Sequence, residues 1–501
     1  MIRRRRFRPN LILTCALLAV AFAAIWHRSA YAAAAKSSAS PSTAAPKPSA
    51  EIEPAPAPKA IDYDKLTNEA VDFLSKYIKI NTSNPPGHEI DAAKMLRQKF
   101  LADGIPVNVW EAQPDRGIIA ARLRGTPHKQ KSLILLSHMD VVPAEAKDWQ
   151  TQPFSGEVKD GYVWGRGAVD DKGPAVIEMM AMLAIKRAGV LLDRDVLFVA
   201  TGDEEEGGHN GAEWFTEHER DIFSDAGYLL NEGGAIRDFP NGKKLYEVST
   251  TEKTAMWLHI VAEGQAGHAA APPPETSVTR LVRALARLID YRSPIRVIGP
   301  VQQEFHVLAE LGQGPSQWLD LDSSIHDAAF ARQFLAVPSQ NAKVRNTIAP
   351  TVLSGSQKTN VIPPIAYADV DCRLLPGEDS KQFLKTIKKV IGDDSVRVEV
   401  KLNFPPASSP SKSTLMTAIE KLARDYDKAQ VTPVMIGGFT DSRYFRQKDV
   451  VAYGFIPLEA GKEEFEGVHG VDERIQIKHL GDAIHRMVDL LEQFGGVRKA
   501  P

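Results

Sequence analysis

Cysteine is almost absent from this chain, since two of its 501 residues are cysteines. Cys15 lies inside an apolar run near the N-terminus, which leaves Cys372 as the single cysteine of the remaining chain. One cysteine cannot form an intrachain disulfide, so a fold held together by such cross-links is excluded. We therefore expect the protein to be stabilised by its hydrophobic core and by any metal ions that it binds.

An excess of charge of one sign is also absent. Lysine and arginine together number 61 and aspartate and glutamate 63, which gives a net charge of −2. This balance argues against nucleic acid as the main partner, because it implies no basic face. Charged residues make up 25% of the chain and aromatic residues 7%, as in soluble globular proteins. The length predicts about two or three domains.

The N-terminal region has a composition of its own. Arginines at positions 3–6 precede an apolar stretch at 11–25, and small residues at 29–32 supply an Ala-x-Ala cleavage pattern. We interpret residues 1–32 as a signal peptide, because about 15 apolar residues are short for a membrane span. An uncleaved N-terminal anchor is the alternative. Residues 33–60, rich in alanine, proline and serine, predict a disordered linker. We therefore expect an exported protein, periplasmic or secreted, with no stable membrane span after cleavage.

Apolar strands alternate with helices in the first part of the folded region. The strands are predicted at residues 117–123, 132–136, 196–200 and 228–230. Helices are predicted from Tyr63, Asp91 and Pro174. Continuous apolar strands with intervening helices are typical of a sheet that is covered on both faces. The pattern therefore predicts an α/β fold over residues 61–250, with a mixed sheet covered by helices.

The order of the elements changes near residue 250. Across residues 251–404 it becomes strand, helix, strand, strand, helix, strand, which suits a ferredoxin-like α+β unit. Residues 292–345 interrupt this order as an insertion that the pattern does not place. Residues 405–501 are expected to complete the first domain, because His469 would be needed there.

Five separated segments carry residue types that bind divalent metals. They contain His138 with Asp140, then Asp170, the acidic run 203–206, Glu232 and His469. Two histidines and several carboxylates suit two zinc ions, with cobalt or manganese as substitutes. A dinuclear site needs a bridging carboxylate to screen the repulsion between its cations, and we predict Asp170 in that role. One carboxylate is left over as a base, so the inventory indicates hydrolysis by a metal-activated water.

Each of these segments also has a structural explanation when it is taken alone. A run of four acids is usually a solvated face, a glycine-rich segment is usually a turn, and a lone histidine is usually structural. His138-x-Asp140 is more specific, because a nearby carboxylate can fix the imidazole tautomer. The positions just after predicted strands favour a common site, since α/β sites gather at the carboxyl ends of strands.

Taken together, these segments resemble the di-zinc aminoacylase and carboxypeptidase family, which includes acetylornithine deacetylase and succinyl-diaminopimelate desuccinylase. The resemblance runs from about Tyr63 to the C-terminus and keeps the order of every motif. Trp149 and the Gly267-His268 segment look most like the carboxypeptidase S branch. That branch also holds the secreted N-fatty-acyl-amino-acid hydrolases. The resemblance implies that residues 251–404 form a lid and dimerisation domain inserted into a catalytic domain.

The resemblance also implies a role for each matched residue. The metal ligands are His138, Asp170, Glu205, Glu232 and His469, with Asp170 bridging. The catalytic residues are Glu204 as the general base, Asp140 as the acid that orients the first histidine, and His268 as a lid histidine that steadies the tetrahedral intermediate. The substrate contacts are Asn360, Arg373 and Arg443, of which the two arginines are linked to a substrate carboxylate.

From the residues and the resemblance we expect a di-zinc amidohydrolase that cleaves small peptides or N-acyl amino acids with a free carboxylate. One alternative is a deacylase of N-fatty-acyl amino acids. Another is an inactive binding protein on the same scaffold, which predicts the loss of a ligand or of the base, and all of these are present. The resemblance is compatible with a homodimer formed through the lid, which the insertion at 292–345 could extend.

Overall fold

The computed structural model describes residues 58–126, 130–459 and 461–497, without the side chain of Lys462. The predicted signal peptide and nearly all of the predicted linker lie outside these residues. Within the described ranges, no helix has the length and apolar character that crossing a bilayer requires.

The strands of the described residues are numbered in chain order. They are β1 (Val107–Gln113), β2 (Arg116–Leu123), β3 (Ser132–His138), β4 (Val158–Lys159), β5 (Tyr162–Trp164), β6 (Val196–Thr201), β7 (Ala226–Asn231), β8 (Ile236–Asp238), β9 (Lys244–Glu252), β10 (Thr254–Glu263), β11 (Gly267–His268), β12 (Thr347–Ser354), β13 (Val361–Ile362), β14 (Ile365–Leu374), β15 (Val396–Asn403), β16 (Gln430–Ile436), β17 (Val451–Gly454) and β18 (Arg474–Gln476).

The α-helices are numbered in the same way. They are α1 (Tyr63–Ile78), α2 (Glu89–Ala102), α3 (Lys172–Ala188), α4 (Trp214–His218), α5 (Ser277–Asp290), α6 (Gly299–Glu310), α7 (Leu321–Ser324), α8 (Ala328–Ala336), α9 (Pro338–Val344), α10 (Ser380–Ile391), α11 (Thr414–Asp427), α12 (Ser442–Arg446), α13 (Lys462–Gly467) and α14 (Ile477–Gly495).

The large sheet is mixed and is covered on both faces, as predicted. Its strand order is β1-β2-β6-β3-β7-β17-β9-β16, with β8 paired to β9. Alternate residues of β3 enter different cores because successive side chains point to opposite faces. Leu133 and Leu135 join a core that contains side chains of α1, α2, α3, α11 and α14. Ile134 and Leu136 join a second core with side chains of α4 and α12. The prediction of an α/β fold with a helix-covered mixed sheet is therefore confirmed.

A four-stranded antiparallel sheet forms a second unit, with the order β12-β14-β10-β15. Helices α5 and α10 share a separate core with this sheet. With its elements taken along the chain, the unit has the β-α-β-β-α-β order of a ferredoxin-like fold. Two chain segments join it to the large sheet: Lys253 between β9 and β10, and the segment that begins at Phe404 after β15. We refer to it as the four-stranded unit.

The insertion at 292–345 folds as the helices α6 to α9. Its apolar side chains, among them Phe305 and Phe334, share a core with Leu245 of β9 and Met435 of β16. The Lys343 ammonium also donates to the Met435 carbonyl over 2.7 Å. The insertion therefore covers the edge strand β16 of the large sheet. The sequence pattern could not place it because the apolar surface that it covers belongs to strands remote in the chain.

The packing of β14 can be tested through Cys372, which is fully buried in the core beneath α5 and α10. Burial raises the pKa of its thiol to about 12, so the reactive thiolate is scarce near neutral pH. We expect a chromogenic disulfide reagent to leave the folded Cys15→Ser variant unlabelled. The same reagent should label one thiol per chain after unfolding in guanidinium. Prompt labelling of the native protein would contradict this packing.

Candidate metal centre

The predicted metal ligands meet at the carboxyl ends of strands of the large sheet. His138 is the last residue of β3, and Glu232 directly follows β7. Glu204 and Glu205 lie in a short turn after β6, which we call the base turn (residues 203–208). The remaining ligands come from the Asp170 loop (residues 165–171) and the His469 loop (residues 467–473). We call His138, Asp170, Glu204, Glu205, Glu232 and His469 the acid–histidine cluster.

Asp170 lies between the two histidines. Its Oδ1 is 3.0 Å from His138 Nε2, and its Oδ2 is 3.1 Å from His469 Nε2. Glu232 Oε1 lies 3.9 Å from His138 Nε2, and Glu205 Oε2 lies 3.3 Å from His469 Nε2. Each oxygen of Asp170 thus faces one histidine that also has a second carboxylate beside it. A carboxylate that bridges two cations requires this arrangement.

The electrostatics of the cluster indicate whether divalent cations fit the residues present. Burial and the neighbouring Asp170 raise the pKa of the Glu232 carboxyl well above its ordinary value. Burial together with Glu232 does the same for Glu204. One oxygen of Glu204 and one of Glu205 are buried without a hydrogen-bond partner among the described residues. Divalent cations would compensate this charge and coordinate such oxygens, so the residues present fit a pair of ions.

Asp140 supports both sides of the cluster. His138 Nδ1 lies 3.0 Å from the Asp140 backbone oxygen and 3.5 Å from its Oδ1. The fully buried Asp140 carboxylate also accepts the backbone N–H groups of Glu204 and Glu205, each over 3.1 Å, and the Asn84 amide over 2.9 Å. Asp140 thus lies where it could orient the imidazole, and it also holds the base turn.

Arg443 supports the base turn from the opposite side. Its guanidinium is buried, stacks on Phe404 at 3.8 Å, and donates to the carbonyls of Thr440 over 2.7 Å and Gly207 over 2.6 Å. These contacts direct both terminal nitrogens of the guanidinium to carbonyls of the protein itself. The structure thus gives Arg443 a supporting position, and its predicted role as a direct substrate contact remains a prediction.

The other predicted residues lie in the four-stranded unit or beside it. Arg373, on β14, pairs with Asp371 through two hydrogen bonds of 2.8 and 3.1 Å and lies over the Phe439 ring. His268 and Asn360 are neighbours, because the Ala269 N–H donates to the Asn360 carbonyl over 3.1 Å. Both of these side chains are exposed. No hydrogen bond or ion pair between described residues joins His268 or Asn360 to the acid–histidine cluster.

Asn84 and Glu473 are among the buried residues that contact the site and were not predicted from the sequence. Asn84 donates to Asp140 and, over 3.3 Å, to Asp203. Glu473 accepts the backbone N–H of Asp170 over 3.0 Å. An acid four residues after His469, in the same segment, is a signal that could have drawn attention to Glu473. Asn84 precedes two prolines in a loop and carries no comparable signal.

A cavity of about 320 Å³ adjoins the cluster. Asp170 and Glu232 lie in its wall, together with Glu247 of β9. Much of the remaining wall is apolar: Val169, Pro174, Ile456, Leu458, Phe465 and Val468. Phe465 is 47% exposed although it is a large apolar residue. The cavity therefore offers an apolar surface directly beside the predicted metal ligands.

Comparison with known proteins identifies relatives of the kind that the sequence motifs predict. The model of peptidase family M20/M25/M40 matches residues 134–493. The N-fatty-acyl-amino acid synthase/hydrolase PM20D1 of Xenopus tropicalis is 31% identical over 380 residues, which cover 74% of this chain and 73% of that protein. The probable carboxypeptidase S-like 2 of Dictyostelium discoideum is 27% identical, with 74% of each chain covered.

A solved structure shows the same fold. The M20 family metallo-carboxypeptidase Sso-CP2 from Sulfolobus solfataricus superposes with a TM-score of 0.66. The match covers 86% of this chain and 99% of that one at 19% sequence identity. It therefore includes both the large sheet and the four-stranded unit.

Proposed function

The chain belongs to peptidase family M20/M25/M40, and we propose that it is a di-zinc amidohydrolase of peptides or N-acyl amino acids with a free carboxylate. The observation that carries this proposal is the position of Asp170 between His138 and His469, with Glu204 beside them. The alternative of an inactive binding protein would require a missing ligand or base, and every predicted one is present.

We infer that His138, Asp170 and Glu232 hold one ion and that Asp170, Glu205 and His469 hold the other. Bound there, the ions would lower the pKa of a shared water and polarise the amide carbonyl. Zinc suits these nitrogen and oxygen donors, and cobalt or manganese could replace it.

Glu204 is the proposed general base. Its backbone N–H is held by Asp140, which directs its side chain towards the cluster, and one of its oxygens is buried without a partner among the described residues. A carboxylate so placed can take a proton from the attacking water and return it to the leaving amine. Glu205, its neighbour, has an oxygen 3.3 Å from His469 Nε2 and serves as a ligand instead.

Recognition of the substrate carboxylate is assigned to Arg373 and Asn360, with His268 beside them to donate to the developing oxyanion. Arg373 belongs to the four-stranded unit, and His268 and Asn360 lie beside it, so all three would reach the cluster if that part of the chain acts as a lid, from the same chain or from a partner. The bidentate pair with Asp371 keeps the Arg373 guanidinium oriented until a substrate carboxylate competes for it.

A homodimer through the four-stranded unit is part of this proposal. The edge strand β12 exposes Leu353, and the neighbouring helix α5 exposes Val282 and Ile289, with exposed fractions of 66%, 52% and 55%. An edge strand with free backbone groups and apolar side chains pairs readily with a second copy. Export from the cytoplasm is also proposed, on the residue pattern at 1–32.

Hydrolysis of N-fatty-acyl amino acids is a second candidate function. The apolar cavity beside Glu232 favours it, because the cavity could hold an acyl chain while the carboxylate end faces Arg373. The similarity to the protein named N-fatty-acyl-amino acid synthase/hydrolase supports the same choice. The acids in the cavity wall would disfavour acyl groups that carry a carboxylate.

Substitution of the two neighbouring glutamates of the base turn should impair the enzyme in different ways. Glu204→Gln removes the base but keeps a polar group of similar size, so we expect kcat to fall by about 10²–10⁴-fold with near-normal metal content. Glu205→Gln should lower the metal content instead. Elemental analysis and steady-state kinetics on an N-acyl amino acid measure both effects. An active Glu204→Gln enzyme, together with a fully loaded Glu205→Gln enzyme, would show that the assignments are wrong.

The acyl candidate predicts a chain-length effect at Phe465. Removing its ring should lower kcat/KM for a long-chain N-acyl amino acid by about tenfold, since roughly 1.5 kcal/mol of apolar contact is lost. The rate on the N-acetyl analogue should stay unchanged. Leu101→Ala, at a residue with a similar exposed fraction of 46% on α2, is the matched control. Equal effects of Phe465→Ala on both substrates would exclude the cavity as the acyl site.

The lid proposal predicts complementation between two inactive variants. His268→Ala should lower kcat and leave metal content unchanged, because its side chain is outside the cluster. If the histidine acts across a dimer, mixing Glu204→Gln and His268→Ala chains under exchange conditions should restore part of the activity. The measurement is the rate before and after exchange, with dimer formation followed by light scattering. Failure to recover activity after demonstrated exchange would support a histidine acting within its own chain.

A further inference from the structure

We propose that Glu473 is a positioning residue that ties the Asp170 loop to the His469 loop and thereby sets the affinity of the site for its metal ions. This inference rests on the proposed metal site but concerns a residue outside the predicted ligand set. Glu473 is fully buried and lies four residues after His469.

The Glu473 carboxylate is saturated by donors of the Asp170 loop. Its Oε1 accepts the backbone N–H groups of Val169 over 2.8 Å and Asp170 over 3.0 Å. Its Oε2 accepts the backbone N–H of Gly167 over 3.0 Å and the Arg166 guanidinium over 2.6 Å. Each oxygen therefore receives two donors, which is the full acceptor capacity of an ionised carboxylate in this plane.

The same two loops are joined by further bonds, in which the Asp170 loop is again the donor. The Gly165 N–H donates to the Glu473 carbonyl over 2.9 Å. The Arg166 guanidinium, itself buried, donates to the Gly470 carbonyl over 2.6 Å. Arg166 also neutralises the Glu473 charge, which would otherwise stand unpaired near Asp170. The bonds thus form one buried unit that carries a ligand on each loop.

The bonds between the two loops determine how far apart the ligands Asp170 and His469 lie. Asp170 Oδ2 and His469 Nε2 are 3.1 Å apart, although 299 positions separate them in the numbering. Glu473 fixes the backbone at Asp170 and follows His469 within the same short loop. Residues that orient metal ligands in this way typically change metal affinity by about 10–100-fold when they are replaced. Since its own oxygens are occupied by donors, Glu473 acts through the ligands and not as a ligand.

Glu473→Gln is the informative substitution. A glutamine amide has one accepting oxygen, so its NH₂ group must face two N–H donors whichever way the amide is turned. We expect zinc to bind about 10–100-fold more weakly, measured by chelator competition on metal-free protein. Glu473→Asp keeps the charge but shortens the side chain, and we expect a smaller loss in the same direction.

Glu464→Gln is the matched control. Glu464 is also buried and accepts the N–H groups of Gly461 over 2.6 Å and Gln476 over 2.8 Å, together with a His479 contact at 2.9 Å. These bonds hold α13 and β18, and none of them comes from the Asp170 loop. The control variant should lose thermal stability without a comparable loss of zinc affinity.

Zinc affinity and thermal unfolding of the metal-free protein are measured for wild type and all three variants. Weaker binding in the Glu473 variants than in Glu464→Gln supports the positioning role. Wild-type affinity in Glu473→Gln, or an equal loss in the control, overturns it. If Glu473→Gln does not fold, wild-type affinity in Glu473→Asp overturns it equally. If the wild type itself binds no zinc, the proposed metal site fails first, and this inference fails with it.

Discussion

The structure depends on the burial of several carboxylates at one edge of a sheet. Asp140, Glu204, Glu205 and Glu232 lie at the ends of β3, β6 and β7, Asp170 approaches them from its loop, and burial raises the pKa of the Glu204 and Glu232 carboxyls. Like charges at such distances are costly in a medium of low dielectric constant, and two histidines compensate only part of the charge. Divalent cations would remove the rest of the cost. On the proposed function, metal ions would therefore stabilise the cluster as well as supply its chemistry.

Backbone conformation shows a second cost of assembling the site. Asp203, at the start of the base turn, and His469 both adopt positive φ angles, of 69° and 57°, which are unfavourable for residues other than glycine. Buried bonds hold Asp203 in place, since its carboxylate pairs with Arg116 and accepts the backbone N–H of Asn210 over 2.7 Å. A side chain at Gly208 would displace Asp441, because a Cβ atom there would lie 2.5 Å from Asp441 Oδ1. The surrounding network thus stabilises a turn that local sequence preferences would not form.

The sequence predicts some parts of the site better than others for a physical reason. His138 ends one apolar strand and Glu232 directly follows another, so the strand pattern places both at one edge of the sheet. Asn84 and Glu473 act through hydrogen bonds to residues far away in the chain, and no local pattern records such a bond. Arg443 is a further case, because the motif that singled it out does not record that the fold buries its side chain beneath the base turn, where it donates to Gly207. The order of strands and helices along the chain follows from patterning, whereas side-chain partners follow from packing.

The burial of Arg443 also changes how carboxylate recognition would work. Arg443 stacks on Phe404, the residue where the chain leaves β15, and holds Gly207 at the end of the base turn. It therefore links the connection between the two sheets to the residues beside Glu204. Of the two predicted arginines, Arg373 lies on β14, so it would move with the four-stranded unit if that unit acts as a lid. Under the proposed function, the substrate carboxylate would bind as the lid closes. A substrate without that carboxylate would lose the contact that favours the closed state.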